Sequence, residues 1–278
     1  MALTALLTAD GVRLAARWWA PESTTDDVGP VAVVLVHGFA ASKDEAAVEE
    51  VARRLSASGH PVLAYDSRGH GESGGLCTLG DLERLDVDAA VGAAANRAGA
   101  VVVVGASMGG VAVLNHMAAE ASAETSNGAA GAPDVPAGAA SAAFVAPMVT
   151  HGAVVVATPA RWQIPRSVRG AAAAVMTQTG AGRAVAARRF QTRLAVRPRR
   201  GAPPVERIRA VAQPVAVIHG LADRFLPSTA ATALFSAAPE PRRLDLVPGM
   251  GHGFCAAALD PIEAAVAWVA RTALAGTV

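Results

Sequence analysis

The chain has 278 residues, a formal net charge of +1 and 52% hydrophobic residues. That length and apolar content suit one large buried core rather than two small domains. Near-neutrality excludes a general nucleic-acid binder, whose phosphate contacts need a clear surplus of lysine and arginine.

The N-terminal MALTALL starts like an export signal, but no positive residue precedes its apolar stretch, which stops at Asp10-Gly11. Asp-Gly between LTALLTA and VRLAARWW predicts a hairpin turn, because both central residues of such a turn favour positive φ. No apolar run reaches the roughly 18 to 20 residues of a membrane span. Two cysteines, Cys77 and Cys255, are too few for a disulfide framework and read as reduced thiols. A cytoplasmic protein without stable membrane insertion is the expectation.

Short β-branched runs then alternate with helical patterns. VAVVLV (31–36), PVLAY (61–65), VVVVG (101–105), AAFVA (142–146), PVAVIH (214–219) and RRLDLV (242–247) read as strands. Their near-continuous apolar character suits a parallel sheet buried on both faces. Ala47, Val48, Val51, Ala52 and Leu55 recur at helical spacing and form one stripe. Asp260-Pro261 predicts the start of a last helix, with aspartate as cap and proline at the first helical position. The alternation implies an α/β fold with a mostly parallel, doubly wound sheet.

Two stretches break the rhythm. Residues 119–140 are small, polar and turn-rich, which predicts a surface loop. Residues 150–212 are too long for an ordinary crossover and contain helix-like pieces between proline-rich joints. They read as a cap inserted over the active-site end of the sheet, with 1–149 and 213–278 forming the core.

Gly105-Ala106-Ser107-Met108-Gly109 is a G-x-S-x-G motif between a strand and a helix. A serine there sits on a tight turn, its hydroxyl above the sheet, while the flanking glycines let strand and helix approach. The helix that follows aims its positive end at a developing oxyanion. A serine hydroxyl needs a base, and the base an orienting acid, which this arrangement supplies in the order serine, acid, histidine.

Of seven histidines, His37 and His70 precede the serine, and His116 falls on the helix behind it. His151 begins the expected cap, and His219 precedes the candidate acid. His252, in VPGMGHGF, follows a strand and is the candidate base. Asp223, in IHGLADRF, also lies just beyond a strand, whereas Asp245 is inside one and Asp260 is committed to capping. Strand-end loops are where catalytic groups collect in open α/β sheets. For the oxyanion, the backbone N–H of Met108 and of Phe39, in His37-Gly38-Phe39-Ala40, are the expected donors.

Together, VHGFAASKD, YDSRGHGESGG, GASMGG and HGLADRFLP…GMGHGF resemble the α/β-hydrolase superfamily, and within it the serine esterase and lysophospholipase-like members. The resemblance spans nearly the whole chain apart from 119–140 and 150–212. It implies a carboxylic-ester hydrolase without metal or organic cofactor, working through an acyl-enzyme as a monomer or dimer. It also implies that Asp66 to Gly75 shape the site rather than perform chemistry. An acyl thioesterase and a non-catalytic ligand receptor or sensor are the alternatives.

Charge is unevenly spread. Residues 150–212 hold twelve arginines and one acid, Glu206, leaving twelve basic and 22 acidic residues elsewhere. This reads either as solvated helix faces or as attraction for an anionic ester or thioester, or for anionic lipid. Trp162, Ile164 and Met148, with Val168 and Met176, are candidates for an apolar substrate wall.

Overall fold

A computed structural model describes residues 2–21, 31–129, 150–162, 168–196 and 201–275. Its first two strands, β1 (Ala2–Leu7) and β2 (Arg13–Trp19), form the expected hairpin, but the connection is residues 8–12 and of the Asp10-Gly11 pair only Gly11 takes a positive φ, +80°. Then come β3 (Val31–Val36), α1 (Ala46–Ala57), β4 (Val62–Tyr65), α2 (Glu83–Ala95), β5 (Ala100–Ala106) and α3 (Met108–Ala129). The second half holds β6 (Gly152–Val156), α4 (Val168–Gln178), α5 (Gly180–Arg189), a short α6 (Pro204–Arg207), β7 (Val215–Gly220), α7 (Thr229–Ala237), β8 (Arg242–Val247) and α8 (Leu259–Ala275). One sheet runs β1-β2-β4-β3-β5-β6-β7-β8. β2 is antiparallel to its neighbours, and every pairing from β4 to β8 is parallel. This is the α/β-hydrolase fold.

Strand alternation sorts the apolar side chains into two cores. Val34, Val36, Val101 and Val103 pack with Val91 of α2, Leu114 of α3 and Leu234 of α7. Val33, Leu35, Val102 and Val104 pack on the other face with Val51 and Leu55 of α1 and Val266 of α8. Both faces of β3 and β5 are therefore covered, which explains their unbroken apolar runs. Full burial of one such side chain contributes roughly 1.5 to 3 kcal/mol.

Three expectations need correction. Residues 150–212 do not begin as an insertion, because GAVVV at 152–156 is β6, fully buried between β5 and β7. Two parallel neighbours demand such a both-faces-apolar run. At the other end, Val205, Ile208 and Val211 join the core beside α3. Secondly, α3 continues to Ala129, through the first half of the predicted loop, since AEASAE is rich in strong helix formers. Thirdly, Asp260 is not a cap: α8 already includes it, and its carboxylate meets Arg54. The predicted strand 142–146 lies outside the described residues.

Candidate active site

Ser107 sits at the turn from β5 into α3 with φ +53°, a left-handed conformation that costs a non-glycine residue on the order of 1 to 3 kcal/mol. Its N–H donates to Val156 O at 2.8 Å, so β6 holds the elbow from one side. The flanking glycines have a steric reason. A Cβ on Gly109 would lie 2.3 Å from Val36 O, and one on Gly105 2.7 Å from Gly109 O. Helix α3 can thus lie directly against the end of β3, which carries the His37–Ala40 loop.

The loop after β7 brings in Asp223, and the loop after β8 brings in His252. Ser107 Oγ lies 2.9 Å from His252 Nε2, and His252 Nδ1 lies 2.7 Å from Asp223 Oδ2. The other carboxylate oxygen of Asp223 accepts from the N–H groups of Phe225 (2.6 Å) and Leu226 (3.0 Å). Burial alone would raise the Asp223 pKa. The hydrogen bonds from His252, Leu226 and Phe225, with the favourable charge of His252, outweigh burial and hold it below the ordinary value. The Phe225 ring packs 4.9 Å from the His252 ring and steadies it.

Phe39 and Met108 flank the serine, and a Cβ placed on Gly38 would be 3.4 Å from Ser107 Cβ. Met108 opens α3, where N–H groups have no partner within the helix. Among the described residues, neither the Met108 nor the Phe39 N–H donates to a protein acceptor.

Each of the other six histidines has a polar contact of its own, His60 through Nδ1–H to Val31 O at 2.9 Å. His37 Nδ1–H donates to Gly38 O (2.8 Å) and its Nε2 accepts from Ser67 N–H (3.0 Å). His70 Nδ1–H donates to Arg68 O, and its Nε2 faces Ala40 N–H at 3.4 Å. Burial drives both to a pKa of about 4, so both stay neutral and keep these roles near pH 7. His116 is buried between Asp88 and Thr150, and His151 Nδ1 accepts from Val101 N–H. His219 is buried, with Nε2 3.2 Å from Leu226 O on the Asp223 loop.

Sequence reasoning missed Lys43, the sole lysine in the chain. Its side chain is 1% exposed, and its ammonium lies 2.8 Å from Asp44, 2.8 Å from Glu72 and 3.2 Å from Asp66. Burial would lower its pKa, but the three carboxylates outweigh burial and hold it above the ordinary lysine value. Its N–H also donates to Asp66 Oδ1 at 2.8 Å. The ammonium thus occupies the centre of an acidic trio and fastens the loop after β3 to the loop after β4. Lys43→Met is expected to destabilise the fold by roughly 3 kcal/mol, because it strands the buried Asp66 carboxylate. Urea denaturation measures this, and adding Asp66→Asn should recover part of the loss. A loss under about 1 kcal/mol would show that the trio contributes little.

Residues 191–195 run across the loop after β4, with Cys77 N–H donating to Arg193 O and Arg193 N–H to Gly69 O, both at 2.7 Å. This seam places Leu194, Met176 of α4 and Ala186 of α5 in one apolar cluster with Cys77, Phe39 and Met108. Met176 therefore lies with both candidate oxyanion residues. Trp162 does not line the cavity at the serine, and its indole N–H donates to Gly201 O at 2.9 Å. Met148, Ile164 and the Val168 side chain lie outside the described residues. Among the described residues, no arginine of 150–212 forms an ion pair with a carboxylate. Cys77 and Cys255 are both free thiols.

Sheet order, elbow and the serine–histidine–aspartate line define the class as a serine-type α/β-hydrolase. The Hydrolase_4 family model (serine aminopeptidase, S33) matches residues 30–256, and the chain belongs to that family. Over 105 residues it is 42% identical to the monoacylglycerol lipase of Mycolicibacterium smegmatis, covering 36% of this chain and 35% of that one. Over 50 residues it is 48% identical to an uncharacterized protein of Mycobacterium tuberculosis, covering 18% of each. The chain thus matches about a fifth to a third of the length of these curated relatives. The Rhodococcus sp. esterase RhEst1 shares the fold at a TM-score of 0.60 and 21% identity, with 96% of this chain and 97% of that one covered. Among the described residues, no helix is long and apolar enough to cross a membrane.

Proposed function

We propose that the protein hydrolyses carboxylic esters through an acyl-enzyme on Ser107. The observation that carries this reading is the continuous line from Ser107 Oγ through His252 to the buried Asp223, with spacings of 2.9 and 2.7 Å. Ser107 Oγ attacks the ester carbonyl carbon while its proton passes to His252 Nε2. The Phe39 and Met108 N–H groups hold the resulting oxyanion. Collapse breaks the C–O bond, and His252 returns the proton to the departing alcohol. Water, deprotonated by His252, then attacks the acyl-serine and releases the acid. Asp223 keeps Nδ1 protonated and stabilises the imidazolium throughout.

The substrate has two arms. His252 must reach the leaving oxygen, so the alcohol arm lies on the His252–Phe254 side of the serine. The acyl arm lies against the apolar cluster of Phe39, Met108 and Met176, under a cap built from α4, α5 and the 191–195 seam. Likeness to a monoacylglycerol lipase over a third of the chain supports oxygen esters over thioesters.

A fluorophosphonate probe tests the reading directly. One adduct per folded chain, mapped to the peptide containing Ser107 by mass spectrometry, is the expected result. An intact, folded protein left unmodified by excess probe would refute an activated serine and favour a ligand receptor on the same scaffold.

A further inference from the structure

Beside Ser107 lies a cavity of about 180 Å³, bounded by the loop after β3, the start of α1 and the His252 loop. Its wall includes Phe39, Glu45, Ser107, His252 and Phe254. His37, also on the wall, is neutral because burial drives its pKa to about 4. Glu45 is the one carboxylate among the wall residues.

The Glu45 carboxylate has no evident structural duty. It stands at the N-cap position of α1, yet its side chain makes no capping hydrogen bond. Among the described residues it forms no ion pair, since neighbouring Lys43 is committed to Asp44, Asp66 and Glu72, and Arg17 to Asp44 and Glu49. The residue is exposed overall, yet partial burial raises its pKa and no cation offsets that effect. Two aromatic residues, Phe39 and Phe254, line the same space.

A carboxylate lacking a counter-ion beside aromatic residues is the chemistry that receives an ammonium group, by charge and by the negative ring faces. We infer that this cavity binds a cationic, ammonium-bearing alcohol arm of the substrate, with Glu45 setting that preference. The inference rests on the ester-hydrolase reading for its place in the reaction, and it runs opposite to the anion attraction that is one of the two sequence readings of the arginine-rich 150–212 segment.

A matched ester pair tests it. Butyrylcholine and 3,3-dimethylbutyl butyrate carry alcohol arms of nearly the same shape, one cationic and one neutral. The wild-type enzyme is expected to prefer the cationic ester in kcat/KM by about tenfold. Glu45→Gln should cut that ratio about fivefold, with a smaller cut at high salt because the carboxylate is partly solvated. The ratio is the readout because it cancels losses common to both esters. A wild-type ratio at or below unity, or a ratio unmoved by Glu45→Gln, overturns the inference while leaving ester hydrolysis standing. If neither ester turns over, choline titrated into wild-type protein by calorimetry decides the matter without chemistry. Saturable binding weakened by Glu45→Gln supports the cation site, and absence of saturable binding overturns it.

Discussion

Ser107→Ala is expected to lower kcat/KM for any ester the wild type turns over by roughly four orders of magnitude or more, with the fold retained. In the proposed mechanism the hydroxyl is the attacking atom, and among the described residues no other nucleophile lies within hydrogen-bonding distance of His252. Stability should change by no more than about 1 kcal/mol, the net worth of the bond from Ser107 to His252. The strain at φ +53° stays, because alanine has the same Cβ. Ser107→Gly removes that Cβ and should be about 1 kcal/mol more stable than Ser107→Ala while equally inactive. Turnover of purified protein with a chromogenic ester, beside thermal denaturation, measures both. Retention of more than a few per cent of activity in Ser107→Ala would remove the serine from the mechanism.

What the sequence made legible follows from how local each signal is. β3, β4, β5 and β7 stand out because a strand covered on both faces is apolar at nearly every position, and such runs are short and bounded by turns, whereas the edge strand β8 (RRLDLV) is only half-buried and reads as a strand from its Leu-Asp-Leu-Val alternation. Ser107, Asp223 and His252 stand out because each follows a strand in the order the fold requires. β6 was not legible by the same signal. GAVVV follows closely on AAFVA, and two neighbouring apolar runs compete for one place in the sheet. Only the register of GAVVV between β5 and β7 decides between them.

The supporting network was hidden for a different reason. Lys43, Asp66 and the His37–His70 pair are charged or polar residues in loops, where composition predicts solvent exposure. Their burial comes from long-range contacts: Lys43 N–H to Asp66 spans 23 positions, and Ala40 N–H to His70 spans 30. One clue was present in composition. A single lysine among 23 arginines marks a position that a planar guanidinium does not fill. In the structure, that position is a buried point between the buried Asp66 and the exposed Asp44 and Glu72, which suits a compact ammonium.

Asp223→Asn is expected to reduce kcat/KM by roughly 10⁴-fold near neutral pH without disturbing the fold, a size known from the same change in the serine-protease triad. The geometry here gives the reason. One carboxylate oxygen is held by the Phe225 and Leu226 N–H groups, and the other faces His252 Nδ1. In an asparagine side chain the carbonyl oxygen must take the two backbone donors, since the amide nitrogen has no lone pair to offer them. The amide N–H then points at His252 Nδ1 and makes that nitrogen an acceptor. The ring proton moves to Nε2, where it confronts the Ser107 hydroxyl, and the base is lost. Stability carries a second signature. Asp223 has its pKa held below the ordinary value of 3.8 in the folded protein, so its charge stabilises the fold above that value. The contribution is lost as pH falls through the lower folded value. The stability gap between wild type and Asp223→Asn should therefore be full near neutrality and shrink below about pH 4. Urea denaturation at both pH values measures it, and a gap independent of pH would show that the carboxylate charge is not what this loop is built around.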